Sequence, residues 1–116
     1  MLTSSIFSLA DVLDGEFVPF RPGIDMRVVY GTPGHGGAAA AFLRYEPGAK
    51  IPAHEHPGYE LIHVLQGSQT DARGTHRAGT FVVNPPGSSH AVESVDGCLV
   101  LVVWEQPIQF VEGESR

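Results

Sequence analysis

His54, His56 and Glu60 fall within the run Gly48-Ala-Lys-Ile-Pro-Ala-His-Glu-His-Pro-Gly-Tyr-Glu60, and their spacing suits metal ligation. Successive side chains of a strand point to opposite faces, so His54 and His56 share one, and a turn at Pro57-Gly58 can carry Glu60 back to the same point. A fourth ligand, His90, follows a strand-like run and a Pro-Pro-Gly turn in the segment from Gly79 to Ser94. Imidazole suits Zn, Fe, Ni, Cu and Mn, and one carboxylate adds hard oxygen character without choosing among them. Three histidines and a glutamate can close a tetrahedron around zinc. They can equally leave two octahedral positions free for water, dioxygen or a chelating substrate.

Short strands are expected to hold these ligands, because 14 Gly and 9 Pro interrupt the chain too often for an amphipathic helix of ordinary length after Gly15. Strands are expected near residues 26–30, 39–45, 51–54, 60–66, 69–71, 75–77, 80–83, 90–94 and 98–104. Turn signals between them, such as Asp71-Ala-Arg-Gly74 and Asp96-Gly97, indicate an antiparallel sandwich or barrel. From Cys98 to Trp104 both alternating faces are apolar, which makes that strand scaffold inside the wall. The one helix-like signal runs from Ser4 to Leu13, with Ser4-Ser5 as cap and Ile6, Leu9 and Leu13 at helical spacing; a covering strand is the alternative. Residues 31–37, rich in glycine, read as a mobile connection, and residues 112–116 as a frayed tail.

Gly48, His54, His56, Glu60 and Gly67 fill every fixed position of the pattern Gly-x5-His-x-His-x3-Glu-x6-Gly. Gly79, Pro85, Gly87 and His90 match Gly-x5-Pro-x-Gly-x2-His-x3-Asn up to its last residue, where Ser94 replaces Asn. The chain thereby resembles the cupin superfamily. That resemblance implies an all-β fold, a double-stranded β-helix or jelly-roll barrel, with one divalent metal ion on His54, His56, Glu60 and His90; the Asn replaced by Ser94 is not a ligand in the family. A narrower resemblance rests on Leu43-Arg-Tyr-Glu-Pro-Gly-Ala49, Val64-Leu-Gln-Gly67, Asp71-Ala-Arg-Gly74, Asn84-Pro-Pro-Gly-Ser-Ser-His90 and Gly97-Cys98. These phrases are similar to the cupin domain of ChrR-type anti-sigma factors.

With 116 residues the chain is expected to form a single cupin domain over residues 1–116, with residues 1–20 as an N-terminal covering and dimerisation segment. Its 13 acidic against 7 basic residues argue against nucleic acid or an anionic membrane as the main partner. A single cysteine permits no internal disulfide and fits a cytoplasmic location. The N-terminus lacks a basic region and a long apolar run, so no signal peptide is expected, and no stretch approaches membrane-spanning length.

Other reactive side chains have plainer readings. His63 lies an odd number of residues from Glu60 in a strand and should face the other side. His76, just past a hairpin turn, and His35, in the glycine loop, read as solvated, with His35 the better candidate for a lid contact. Cys98 reads as a small buried hydrophobe and Asp71 as a turn residue. Tyr59 either guards a pocket mouth or packs.

The resemblance implies a stand-alone, metal-binding ChrR-like cupin with a small-molecule or redox sensing role, holding zinc first, with iron, nickel or manganese as alternatives, and a small molecule in the barrel cavity. Sigma-factor binding in ChrR proteins belongs to a separate N-terminal zinc domain, so anti-sigma activity is not carried over to this chain. The alternative is a metal-dependent dioxygenase of the non-haem iron type. Metal-free sugar-nucleotide epimerases share the fold but are disfavoured by the intact ligand set. No residue outside the motif names a substrate or a catalytic group, and fold alone cannot choose among these chemistries. A homodimer is expected, because a small sandwich must cover its sheet edges and residues 6–13 offer an apolar cover.

Overall fold

A computed structural model describes residues 4–111. After a short helix α1 (Leu9–Asp14) the chain forms ten strands: β1 (Val18–Arg21), β2 (Ile24–Tyr30), β3 (Ala39–Tyr45), β4 (Ala49–Glu55), β5 (Glu60–Asp71), β6 (Gly74–Arg77), β7 (Phe81–Asn84), β8 (Ser89–Ser94), β9 (Cys98–Trp104) and β10 (Gln109–Phe110). Every pairing is antiparallel, and the main path runs β1-β2-β3-β9-β5-β8-β4-β10, with β6 and β7 also paired to β5. This is the all-β jelly roll that the sequence implies. Among the described residues no helix is long and apolar enough to cross a membrane.

The barrel curls because β5 belongs to both halves. Its first residues pair with β7 and β9, its last with β6 and β8, and a bulge separates Val64 from Gln66. Bulges bend a strand and increase its twist. Close by, Gly67 has φ 71°, and a Cβ there would meet the Gly97 carbonyl oxygen at 2.1 Å, so only glycine fits the crossing. Two expected strands, 60–66 and 69–71, are therefore one.

Inside, Ile24, Leu43, Val64 and Val100 are fully buried and form the core with residues of β4, β7 and β8. The β9 strand sits between β3 and β5, so its two apolar faces are both used: Val100 and Val102 face the barrel core, while Leu99 packs with Phe42 and Val12 on the other side.

The N-terminal helix starts later than its pattern suggests. Ser8, not Ser4 or Ser5, is the cap: its hydroxyl accepts from the Asp11 amide while the Asp11 carboxylate accepts from the Ser8 amide. That reciprocal capping box fixes the first turn at Leu9 and leaves Ile6 outside the helix. Strands β1 and β10 were not expected. Pro19 and a bulge disguise the first, and two residues leave no period to read in the second. Residues 112–116, read as a frayed tail, lie outside the described residues.

Candidate metal centre

His54 lies on β4 and pairs directly with His90 on β8, so two imidazoles stand side by side across one ladder. A register shift between Ile51 and His54 interrupts that ladder, and Pro52, which has no N–H to donate, sits within it. His56 follows the end of β4, anchored by its amide to the Ser88 carbonyl at 2.9 Å. Glu60 opens β5. Its cross-strand partners are Asn84 on one side and Trp104 on the other, and both clamp its carboxylate: Asn84 Nδ2 donates to Oε1 at 3.0 Å and Trp104 Nε1 to Oε2 at 2.8 Å. One ligand atom from each of His54, His56, Glu60 and His90 lies within 4.8 Å of the other three.

Each imidazole is oriented through Nδ1. His54 Nδ1 lies 2.8 Å from the Pro52 carbonyl, which can only accept, so this nitrogen carries the proton. Ser88 Oγ donates to the Pro85 carbonyl at 2.6 Å and is thereby left to accept from His56 Nδ1 at 2.9 Å. His90 Nδ1 is 3.4 Å from Asp71 Oδ2. With the protons on Nδ1, all three Nε2 lone pairs are available at the centre, the arrangement a metal requires of its histidines.

Three imidazole nitrogens and a carboxylate oxygen gathered this closely are a donor set suited to a single divalent ion. A second observation agrees: His56 Nε2 is buried, lies 3.1 Å from Glu60 Oε1 and makes no hydrogen bond. A buried polar atom without a partner is costly. A cation at the convergence point would satisfy it, so the residues present fit a metal.

The electrostatics agree with that fit. Burial lowers His54 to about 4 and lowers His90 also, which keeps both rings neutral and able to ligate. Burial alone would raise Glu60, but its interactions with His56, then with His54 and His90, bring it below its ordinary value, so the carboxylate is ionised. Asp71 likewise overcomes burial through hydrogen bonds from Arg73 and His76, and is held well below the usual carboxylate range.

A cavity of about 270 Å³ opens onto the cluster, with His54, Glu60 and His90 in its wall. Most of the remaining lining is apolar, including Leu43, Ile62, Val102, Ile108 and Phe110. The glycine loop forms one side through Pro33, Gly34, His35 and Gly37, and His35 is exposed there, as its sequence reading holds.

Several residues have other surroundings than expected. His63 does face away, stacked on Phe81 with ring centroids 4.1 Å apart. His76 is not solvated: it is partly buried, with Nε2 3.0 Å from Asp71 Oδ1. Asp71 shapes its turn by accepting from the Arg73 amide at 2.9 Å, yet its buried carboxylate also reaches His90. Cys98 is buried, and burial pushes its thiol up to about 11. Tyr59 is half-exposed and does not line the cavity. The residues that sequence reasoning missed are Asn84, Ser88 and Trp104, which hold the ligands. Asn84 and Ser88 flank the Pro-Pro-Gly turn, so their place in the motif was visible although their roles were not.

Comparison with known proteins places this geometry. The family model described as the ChrR cupin-like domain matches residues 7–108. The chain belongs to that family. This ChrR-like cupin is 33% identical over 78 residues to the anti-sigma-E factor ChrR of Cereibacter sphaeroides, an alignment covering 65% of this chain and 37% of that protein. That alignment therefore spans well under half the length of the relative. Among solved structures, ChrR in the Rhodobacter sphaeroides SigE complex superposes with TM-score 0.69 and 26% identity, over 83% of this chain and 55% of that one. An acetylacetone dioxygenase from Acinetobacter johnsonii gives TM-score 0.78 at 16% identity, over 100% of this chain and 85% of that one, a likeness of fold alone. The polyketide cyclase RemF of Streptomyces resistomycificus gives 0.74 at 20%, over 98% and 89%.

Proposed function

We propose that His54, His56, Glu60 and His90 bind one divalent metal ion, zinc before iron, nickel or manganese, and that the protein senses a small molecule taken into the adjoining cavity. The observation that carries this reading is the convergence of three Nε2 lone pairs, each with its tautomer set from behind, on an ionised carboxylate. A divalent ion there supplies a Lewis-acidic point for an incoming donor atom. The chain's own residues hold the ligand rings, line the cavity with an apolar wall and present His54, Glu60 and His90 to it. Membership of the ChrR cupin-like family supports a regulatory role. Sigma-factor binding, which the name of the ChrR relative states, is not part of the proposal.

The second reading is a metal-dependent dioxygenase. What favours it is the cavity itself: a purely structural metal is closed off by its ligands, whereas here three of the four ligand residues line open space. Elemental analysis of protein purified without added metal, followed by oxygen-uptake assays with the metal found, separates the two. Zinc and no uptake across a panel of diketones, flavonoids and thiols supports the sensor; a redox metal with substrate-dependent uptake supports the enzyme.

The working state in either case is a cytoplasmic homodimer. Leu61 and Val83 pair across β5 and β7, beside Phe81, and leave an exposed apolar patch on the outer face of the sheet. A second copy would cover it.

A further inference from the structure

Arg21 stands in the cavity wall, and among the described residues it has no counterion. The other arginines with described contacts are partnered: Arg27 donates to the Asp11 and Val12 carbonyls, Arg44 pairs with Asp25, and Arg73 pairs with Asp71. Among the described residues Arg21 has neither an ion pair nor a side-chain hydrogen bond, and its Nε is buried without a partner. Its guanidinium carbon lies 4.4 Å from the centroid of the Phe110 ring, and the same ring meets His54 at 6.2 Å between centroids. Phe110 thus touches both the cation and the candidate metal centre.

The backbone at this point is built to aim two side chains inward. In a regular strand Phe20 and Arg21 would face opposite sides. The register of β1 against β2 shifts between Pro19 and Arg21, and both Phe20 and Arg21 line the cavity. Bulges re-aim side chains in this way.

The charge balance then selects a ligand. Among the described residues Glu60 is the only carboxylate in the lining, and it is already held by Asn84, Trp104 and the histidines. An ion on the four ligands would leave the cavity with a surplus positive charge at that end, and Arg21 adds another. Arg21 is partly buried, and holding such charges beside an apolar wall is unfavourable unless an anion accompanies them. Guanidinium matches a carboxylate with two parallel N–H donors. At about 270 Å³ the cavity falls just below the range of roughly 300 to 1,000 Å³ typical of drug-sized ligands.

We propose that this cavity is a binding site for a small monocarboxylate with an apolar body, the carboxylate on Arg21 and the body against the apolar wall of Leu43, Ile62 and Ile108. The proposal rests on the metal-binding reading for part of its charge balance, but Arg21 supplies the specificity. No covalent step is implied.

The test is calorimetric titration of the metal-loaded full chain with 3-phenylpropanoate and with its neutral isostere 3-phenylpropanamide, alongside Arg21→Gln and Arg21→Lys. Elemental analysis of each sample reads the metal independently. The expected result is a preference of the wild type for the acid of at least about tenfold, since the amide keeps one acceptor oxygen but loses the charge and the second acceptor. That preference should vanish in Arg21→Gln and survive in part in Arg21→Lys, with metal content unchanged in both. Equal binding of acid and amide, no binding of either, or an acid preference that persists in Arg21→Gln would overturn the proposal. Persistence with a shift in the absorption bands of the cobalt-substituted protein would assign the carboxylate to the metal instead. A folded wild type without stoichiometric metal would defeat the metal reading, and the acid preference would still be read on Arg21.

Discussion

Ser88 and His56 are linked by a hydrogen bond whose direction is settled: because Ser88 Oγ gives its proton to the Pro85 carbonyl, it can only accept from His56 Nδ1, 2.9 Å away. The serine thus sets the tautomer of a ring it does not share a strand with. Ser88→Ala removes the acceptor and leaves a buried Nδ1–H. Metal affinity should fall by about 10 to 100-fold, the usual cost of losing such a partner. Competition against a calibrated chelator measures it, and an unchanged affinity would mean that the orientation of His56 comes from packing alone.

The ligands themselves should be dispensable for folding. Ile24, Leu43, Val64 and Val100 form the core, and none of them belongs to the cluster. His54→Ala and His90→Ala should each lose most of the metal and still give a cooperative urea transition with a native-like circular dichroism spectrum. An unfolded metal-free variant would instead make the ion a condition of folding.

How much of this was legible beforehand follows from what kind of signal each part leaves. The four ligands could be read because their spacing is dictated by strand alternation and by turns that need Gly or Pro. His63 could be excluded by the same alternation. Asp71 and His76 could not be placed, because their partners come from β8 and β5 through tertiary pairing, while the local sequence shows only a hairpin turn. Trp104 read as scaffold, which its burial supports; that its indole N–H also clamps Glu60 depends on the register of β9 against β5. Arg21 carried no signal at all, since a bulge reverses the face that alternation would assign.

Acid should release the metal, and the sign is fixed by burial. Burial brings His54 down to about 4 and lowers His90, so these two rings stay neutral well below the ordinary histidine value of about 6.5. Protons compete for the ligands only as pH falls toward the lowered values, so the ion should be retained at about pH 6.5 and leave below it. The same shifts mean that an unfolded chain takes up protons first, so the metal-free protein should lose stability as pH falls from about 6.5 toward 4. A metallochromic indicator follows the release and urea melts follow the stability. Metal loss near neutral pH would point to fewer than three histidine ligands.

Cys98 should be inert in the folded protein. Burial raises its thiol to about 11, so almost none is thiolate at pH 8. Reaction with a disulfide reagent should be slow in buffer and complete in denaturant. Rapid modification of the native protein would show that this strand opens.

A homodimer built on the outer face of β5 and β7 should respond to charge. Phe81→Glu places a carboxylate on the exposed patch beside Leu61 and Val83. Sedimentation at micromolar concentration should show dimer for the wild type and monomer for the variant, with metal content equal in both. A wild-type monomer would remove the proposed assembly.

The central claim is that four named side chains hold one ion, and metal stoichiometry in protein purified without added metal tests it most directly. Mass-spectrometric elemental analysis should find one divalent ion per chain in the wild type and close to none in His54→Ala/His90→Ala. Wild-type protein that is folded yet metal-free, and that takes up no zinc, iron, nickel or manganese on dialysis, would contradict it, as would a double variant that keeps its ion.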